Sequence, residues 1–71
     1  MKRRFEFVSG PSCKFWAVVV SGCRVTICFG RIGTTGQQQI KEFADATAAQ
    51  RHADKQIAEK LKKGYVEMVP A

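Results

Sequence analysis

Residues 14–29 read KFWAVVVSGCRVTICF, and this stretch decides the fold. Its first part, 14–20, is rich in aromatic and β-branched residues and too short for an ordinary helix, so it reads as a largely buried strand. Ser21-Gly22-Cys23 is a tight connection, because Gly22 can take positive φ without a Cβ clash. Arg24-Val25-Thr26-Ile27-Cys28-Phe29 then alternates cleanly. Val25, Ile27 and Phe29 fall on one face, and Arg24, Thr26 and Cys28 on the other. The pair is a β-hairpin.

Working outward, Phe5 and Phe7 alternate with Arg4, Glu6 and Val8 and predict an earlier strand, closed by turn chemistry at Ser9-Gly10-Pro11-Ser12. After the hairpin comes Gly30-Arg31-Ile32-Gly33-Thr34-Thr35-Gly36, a loop with glycine at every third position. Residues 37–43 are polar and extended, as in an exposed strand. Asp45 is a good N-cap, since its carboxylate can accept from the unpaired donors of a first helical turn. From Ala46 to Lys63 there is no Gly, Pro or Val, which favours helix. Ala46, Ala49, Ala53, Ile57 and Leu61 form one narrow apolar stripe along it. Lys60, Lys62 and Lys63 occupy the last turn, where cations suit the helix dipole. Gly64 is the expected residue after the C-cap, and 65–69 a short closing strand before Pro70. The expected class is therefore α+β: a small antiparallel sheet in the order β-β-β-β-α-β, with one long helix packed on one face. No repeat, linker or second domain is visible.

Composition narrows the function. The chain has 71 residues, 45% of them hydrophobic, with 12 Lys+Arg against 6 Asp+Glu and a net charge of +6. Hydrophobicity at this level argues against disorder. The charge is uneven. Residues 1–41 hold Lys2, Arg3, Arg4, Lys14, Arg24, Arg31 and Lys41 against Glu6 alone, whereas residues 42–71 are neutral. A polyanionic partner suits that half. Cys13, Cys23 and Cys28 are odd in number and contain no C-x-x-C pair, so neither a disulfide framework nor a zinc site is expected. Three reduced thiols, with Cys28 buried on its strand, are the simpler reading. Met1-Lys2-Arg3-Arg4 is not followed by the apolar run of a signal peptide, and the longest apolar stretch, 15–20, is far too short to span a bilayer. The expected location is the cytoplasm, without membrane contact.

No catalytic constellation can be assembled. The single histidine, His52, reads as solvated, Asp54 and Glu59 do not share a helix face, and no serine lies in a nucleophile elbow. The expectation is a non-enzyme with no cofactor, metal or small-molecule substrate. The glycine loop leads into an extended segment and lacks the Gly-Lys-Ser/Thr ending, so it is no P-loop. A hairpin loop needing positive φ explains its glycines but not Arg31. A guanidinium offers a fixed fork of donors to phosphate or carboxylate, and the neighbouring Phe29 can stack on a base or sugar.

These residues carry a resemblance. Lys14-Phe15-Trp16, residues 25–29, the GRIGTTGQ run of 30–37, Phe43 and the EKLKKGY run of 59–65 together resemble the WGR domain, over about residues 3–69. The family is named for a Trp-Gly-Arg motif, usually continued as Ile-Gly-Thr-x-Gly-Gln. The resemblance implies an antiparallel sheet with one helix, and a single WGR-like domain over residues 1–71. In DNA-dependent poly(ADP-ribose) polymerases such a domain grips DNA near a strand break and touches neighbouring domains, and it also occurs in bacterial proteins. Carried over, the motif aromatic and arginine fall on Phe29 and Arg31, with Gly30 allowing close approach. Phe29 stands where the motif has tryptophan; it keeps a π-face but is smaller and lacks the indole donor.

The leading expectation is a nucleic-acid-binding module. Lys14, Arg24, Arg31 and Lys41 would neutralise phosphates, with a log–log salt slope of roughly −3.6, and Phe29 would stack at a strand end or nick. The alternative is a protein-interaction module that docks on a partner or on itself. In a third reading the positive charge serves only solubility. Trp16, on an apolar strand, is expected in the core, and Tyr65 either packs helix against strand or makes an edge contact.

Overall fold

The structure, a computed structural model, describes residues 2–68. Five strands and one helix follow in the expected order: β1 (Lys2–Ser9), β2 (Ser12–Ser21), β3 (Arg24–Arg31), β4 (Gln37–Glu42), α1 (Ala46–Lys62) and β5 (Val66–Met68). The sheet order is β4-β3-β2-β1-β5, antiparallel throughout. Strands β1 to β4 form a meander, and β5 returns past the helix to pair with β1. The end of the expected closing strand, at Val69, and Pro70 after it lie outside the described residues.

The β2–β3 hairpin pairs Ser21 with Arg24, leaving Gly22 and Cys23 as a two-residue turn. Gly22 has φ +61, and among the described residues no non-glycine residue has positive φ, so only the first turn position has positive φ, as in a type II′ turn. From this turn the register runs Trp16 opposite Phe29 and Val18 opposite Ile27. The side chains alternate accordingly. Phe5, Trp16, Val18, Val25 and Ile27 gather on one face with Ala49, Ala53 and Ile57 of α1, and these eight form the core.

Helix α1 begins as the sequence predicts. Asp45, in extended backbone, accepts from the amide of Ala48 at 2.7 Å. Its small residues Ala49 and Ala53 are fully buried, which lets the helix lie close to the sheet. The stripe is shorter than expected. Ala46 and Leu61 are exposed, Leu61 by 49%, and the buried part of the stripe is Ala49, Ala53 and Ile57.

The opposite sheet face has no helix over it, yet Phe15 is 4% exposed there. The glycine loop supplies the cover. Thr34 donates to the Arg31 carbonyl from its amide and from Oγ1, at 3.1 and 2.7 Å, which bends the chain back over the sheet. Gly36 (φ +70) then passes so close to Gly30 that a Cβ on Gly30 would stand 2.7 Å from the Gly36 Cα. The Arg4 guanidinium closes the other side, 4.5 Å from the Phe15 ring centroid. Gly30 needs no positive φ; the crossing chain takes the space that a side chain would fill. Cys13 and Cys28 are half-buried and Cys23 exposed, all three as free thiols.

Candidate nucleic-acid interface

Strand parity decides which basic residues meet. Lys14 and Arg31 are direct cross-strand partners at the open ends of β2 and β3, on the same face as Trp16 and Phe29. Lys41 of β4 pairs with Val25 and so shares that face. The polar row His52–Gln56–Lys60, stepping by four along α1, stands above them. Between helix and strands lies a groove of about 530 Å³, and its walls include Trp16, Phe29 and Tyr65.

Among the described residues, four cations line this groove, Lys14, Arg31, Lys41 and Lys60, and no carboxylate does. Among the described residues the ion pairs lie elsewhere: Arg3 with Glu67 at 2.7 Å, Arg4 with Glu6 at 3.1 Å and Arg24 with Glu42 at 2.9 Å. Asp45 is held by the helix N-terminus and Asp54 by Gln50. Three glutamates thus neutralise the outer arginines, and the groove stays positive.

Lys60 is the most constrained of the four. Its ammonium sits 5.2 Å from the Tyr65 ring centroid and 5.8 Å from that of Trp16. Burial pushes its pKa below the ordinary lysine value, and the positive charges of Lys63 and Lys14 act in the same direction against Glu59. Phe29 is half-buried against the core rim. His52 departs from its expected solvated position. It packs on Phe43 at 5.0 Å, and its Nε2 is buried without a hydrogen-bond partner among the described residues.

Of the six residues picked out from sequence, Phe29, Gly30, Arg31, Lys14 and Lys41 come together here. Arg24 does not. It lies by the hairpin turn on the opposite face, bonded to Glu42 through Nε and Nη2. Sequence reasoning missed Lys60, Gln39, Gln56 and His52. The four-residue spacing of His52, Gln56 and Lys60, beside the apolar stripe, was the available signal for a helical groove wall. Trp16 is 3% exposed and belongs to the core as expected, while its edge also lines the groove. Tyr65 packs on Phe7 at 5.3 Å and under Lys60, joining helix to sheet.

The WGR domain family matches residues 1–71, the whole chain. The chain belongs to the WGR domain family. WGR domains are nucleic-acid-binding modules, and Phe29, Gly30 and Arg31 line the groove. The chain is similar to Protein YehF of Escherichia coli (strain K12), 51% identical over 65 residues, which is 92% of this chain and 24% of that protein. It is 39% identical over 67 residues to the uncharacterized protein YfeS of the same strain, covering 94% of this chain and 28% of YfeS. This WGR chain thus spans about a quarter of the length of these curated relatives. A crystal structure of a Bacteroides fragilis protein superposes with a TM-score of 0.94 at 49% identity, over 97% of this chain and 20% of that one. Among the described residues, no group of three or more His, Cys, Asp and Glu side chains is placed to hold a metal ion. No helix of the described residues is long and apolar enough to cross a membrane.

Proposed function

We propose that residues 1–71 act as a single WGR-like domain, a non-catalytic cytoplasmic module that binds DNA through the basic groove. The observation that carries this reading is the direct pairing of Lys14 with Arg31 in a groove that no carboxylate lines among the described residues. Like charges directly opposite across two strands destabilise a sheet. An anion between them reverses the sign of that interaction. Lys41 and Lys60 extend the positive lining, so a phosphate run can be followed along the groove. Phe29 offers its ring to a sugar or base at a strand end or nick, where an unstacked face is available. The backbone at Gly30 lies in the same wall.

Fluorescence anisotropy with blunt, nicked and single-stranded oligonucleotides at two salt concentrations tests the proposal. Four phosphate contacts correspond to a log–log slope of roughly −3.6. Arg31→Ala should weaken binding and make the slope shallower. Weak binding that is indifferent to Arg31→Ala would sink the reading.

A second reading keeps one specific observation. Val8, Val66 and Met68 are exposed near the β1–β5 edge of the other sheet face, with exposures of 67, 59 and 40%. Such residues suit a protein partner or a second copy. Light scattering that finds a dimer, or a protein partner retained after nuclease treatment, would favour it over the groove.

A further inference from the structure

We propose that β4 pairs edge to edge with β4 of a second copy of the chain, antiparallel about a two-fold axis at Ile40. Of the two sheet edges, β5 is described over three residues and β4 over six, all six of them exposed. The main-chain groups of that edge point outward in a defined phase. Ser21 and Arg24 close the two-residue hairpin turn and so exchange hydrogen bonds, which turns the main chain of Val25, Ile27 and Phe29 toward β4. Their partners Lys41, Gln39 and Gln37 bond back to β3. The Phe43 amide continues the phase by donating to the Cys23 carbonyl at 2.8 Å. Gln38, Ile40 and Glu42 therefore direct their N–H and C=O groups away from the sheet. Such an edge is a template for another strand.

The side chains select both the occupant and the register. With Ile40 opposite Ile40, Gln38 meets Glu42 of the second copy and Gln39 meets its Lys41, each contact occurring twice by symmetry. The outward-directed residues then pair with one another, each pair exchanging two main-chain hydrogen bonds. Ile40 is 56% exposed and is the one apolar residue of β4; here its own copy covers it. Both Arg24 contacts go to Oε1 of Glu42, so Oε2 can accept from the Gln38 amide. On the groove face the Gln39 side-chain carbonyl accepts from the Lys41 ammonium. A shift of two residues sets Gln38 against Ile40 in one direction and Lys41 against Lys41 in the other, a like-charge pair. A shift of one turns the faces over. Helix α1 packs on β2 and β3, so the helices of the two copies lie four strand spacings, or about 19 Å, apart, more than the about 10–12 Å that a helix occupies. Both helices, and with them both basic grooves, stand on one face of the joined sheet.

Sedimentation equilibrium of the nuclease-treated chain tests this from micromolar to millimolar protein, because a contact of this size is transient. The expected result is a monomer–dimer equilibrium that salt strengthens by screening the repulsion between two chains of net charge +6. Ile40→Lys, at an exposed position and checked for folding by circular dichroism, should abolish the dimer by setting two cations on the axis. Gln39→Glu faces Lys41 of the second copy and should tighten the dimer several-fold. Gln37→Glu has the same net charge but no place opposite Lys41, and should tighten it clearly less. A chain that stays monomeric throughout, or a dimer indifferent to Ile40→Lys, would overturn the proposal. So would equal tightening by the two glutamate variants, which removes the register, or a dimer lost through Val66→Lys instead, which places the contact at the β5 edge. The pairing needs no nucleic acid, so a monomeric result leaves the groove reading standing, and a failure to bind DNA leaves the pairing standing.

Discussion

Replacing Gly36 by alanine adds a methyl group against the Phe29 carbonyl oxygen and 2.7 Å from Cζ of Phe15. The first neighbour is backbone of β3 and cannot rotate away. The second is a ring already enclosed by the loop and by Arg4. Two costs therefore add. Left-handed backbone at φ +70 costs a non-glycine residue about 1–2 kcal/mol. Forcing a methyl into occupied space costs about 1–3 kcal/mol more. Gly33→Ala is the matched control, because Gly33 has φ +94 but nothing within 4 Å of its added Cβ. It should show the backbone cost alone, and the gain from a stiffer unfolded chain is the same in both variants. In a domain this small, 1 kcal/mol shifts Tm by about 4–8 °C, so Gly36→Ala should melt at least about 4 °C below Gly33→Ala. Thermal unfolding followed by circular dichroism reads the difference. If the two variants melt within about 2 °C of each other, the loop crossing does not hold the Phe29-Gly30-Arg31 segment in place.

The remaining predictions concern the cap, the edge and the motif aromatic. Asp45→Ala removes the acceptor for the Ala48 amide and should cost about 1 kcal/mol, read as a lower Tm. Arg3, donating to Glu67 through Nε and Nη2, holds the Glu67 carboxyl below its usual range. The stability from that depressed pKa is present above the unfolded value and is lost as pH falls through the folded one. The Tm advantage of wild type over Glu67→Gln should therefore shrink as pH drops below about 4. Phe29→Trp enlarges the stacking face and should tighten DNA binding. Phe29→Ala, checked for folding by circular dichroism, should weaken it roughly tenfold, since base–aromatic stacking is worth about 1–3 kcal/mol.

Much of the architecture was legible because short-range rules governed it. The alternation of 24–29 and the turn at Gly22 set the hairpin, and Asp45 marked the helix start. The extent of the apolar stripe was not, since Ala46 and Leu61 have the right spacing but are exposed. Helix periodicity says which face a residue is on, not how far the opposing layer extends. The site divides in the same way. Arg24 falls on the other face by the very alternation that places Val25 and Ile27 in the core and Phe29 at its rim, so its separation from Arg31 could be read from the sequence. Lys60 joining Lys14 could not, because it depends on how α1 crosses the sheet. His52 was read as solvated for the same reason; Phe43, which covers it, belongs to the connection before the helix.

The groove assignment holds that four placed cations, rather than net charge, bind DNA. A charge-matched pair of variants tests this most directly. Lys14→Gln/Lys41→Gln removes two groove cations, while Lys55→Gln/Lys62→Gln removes two exposed helix lysines outside the groove and gives the same net charge. In a salt titration of DNA binding, the first should make the log–log slope shallower by about 1.8 and the second should leave it unchanged. Equal losses in the two variants would contradict the account.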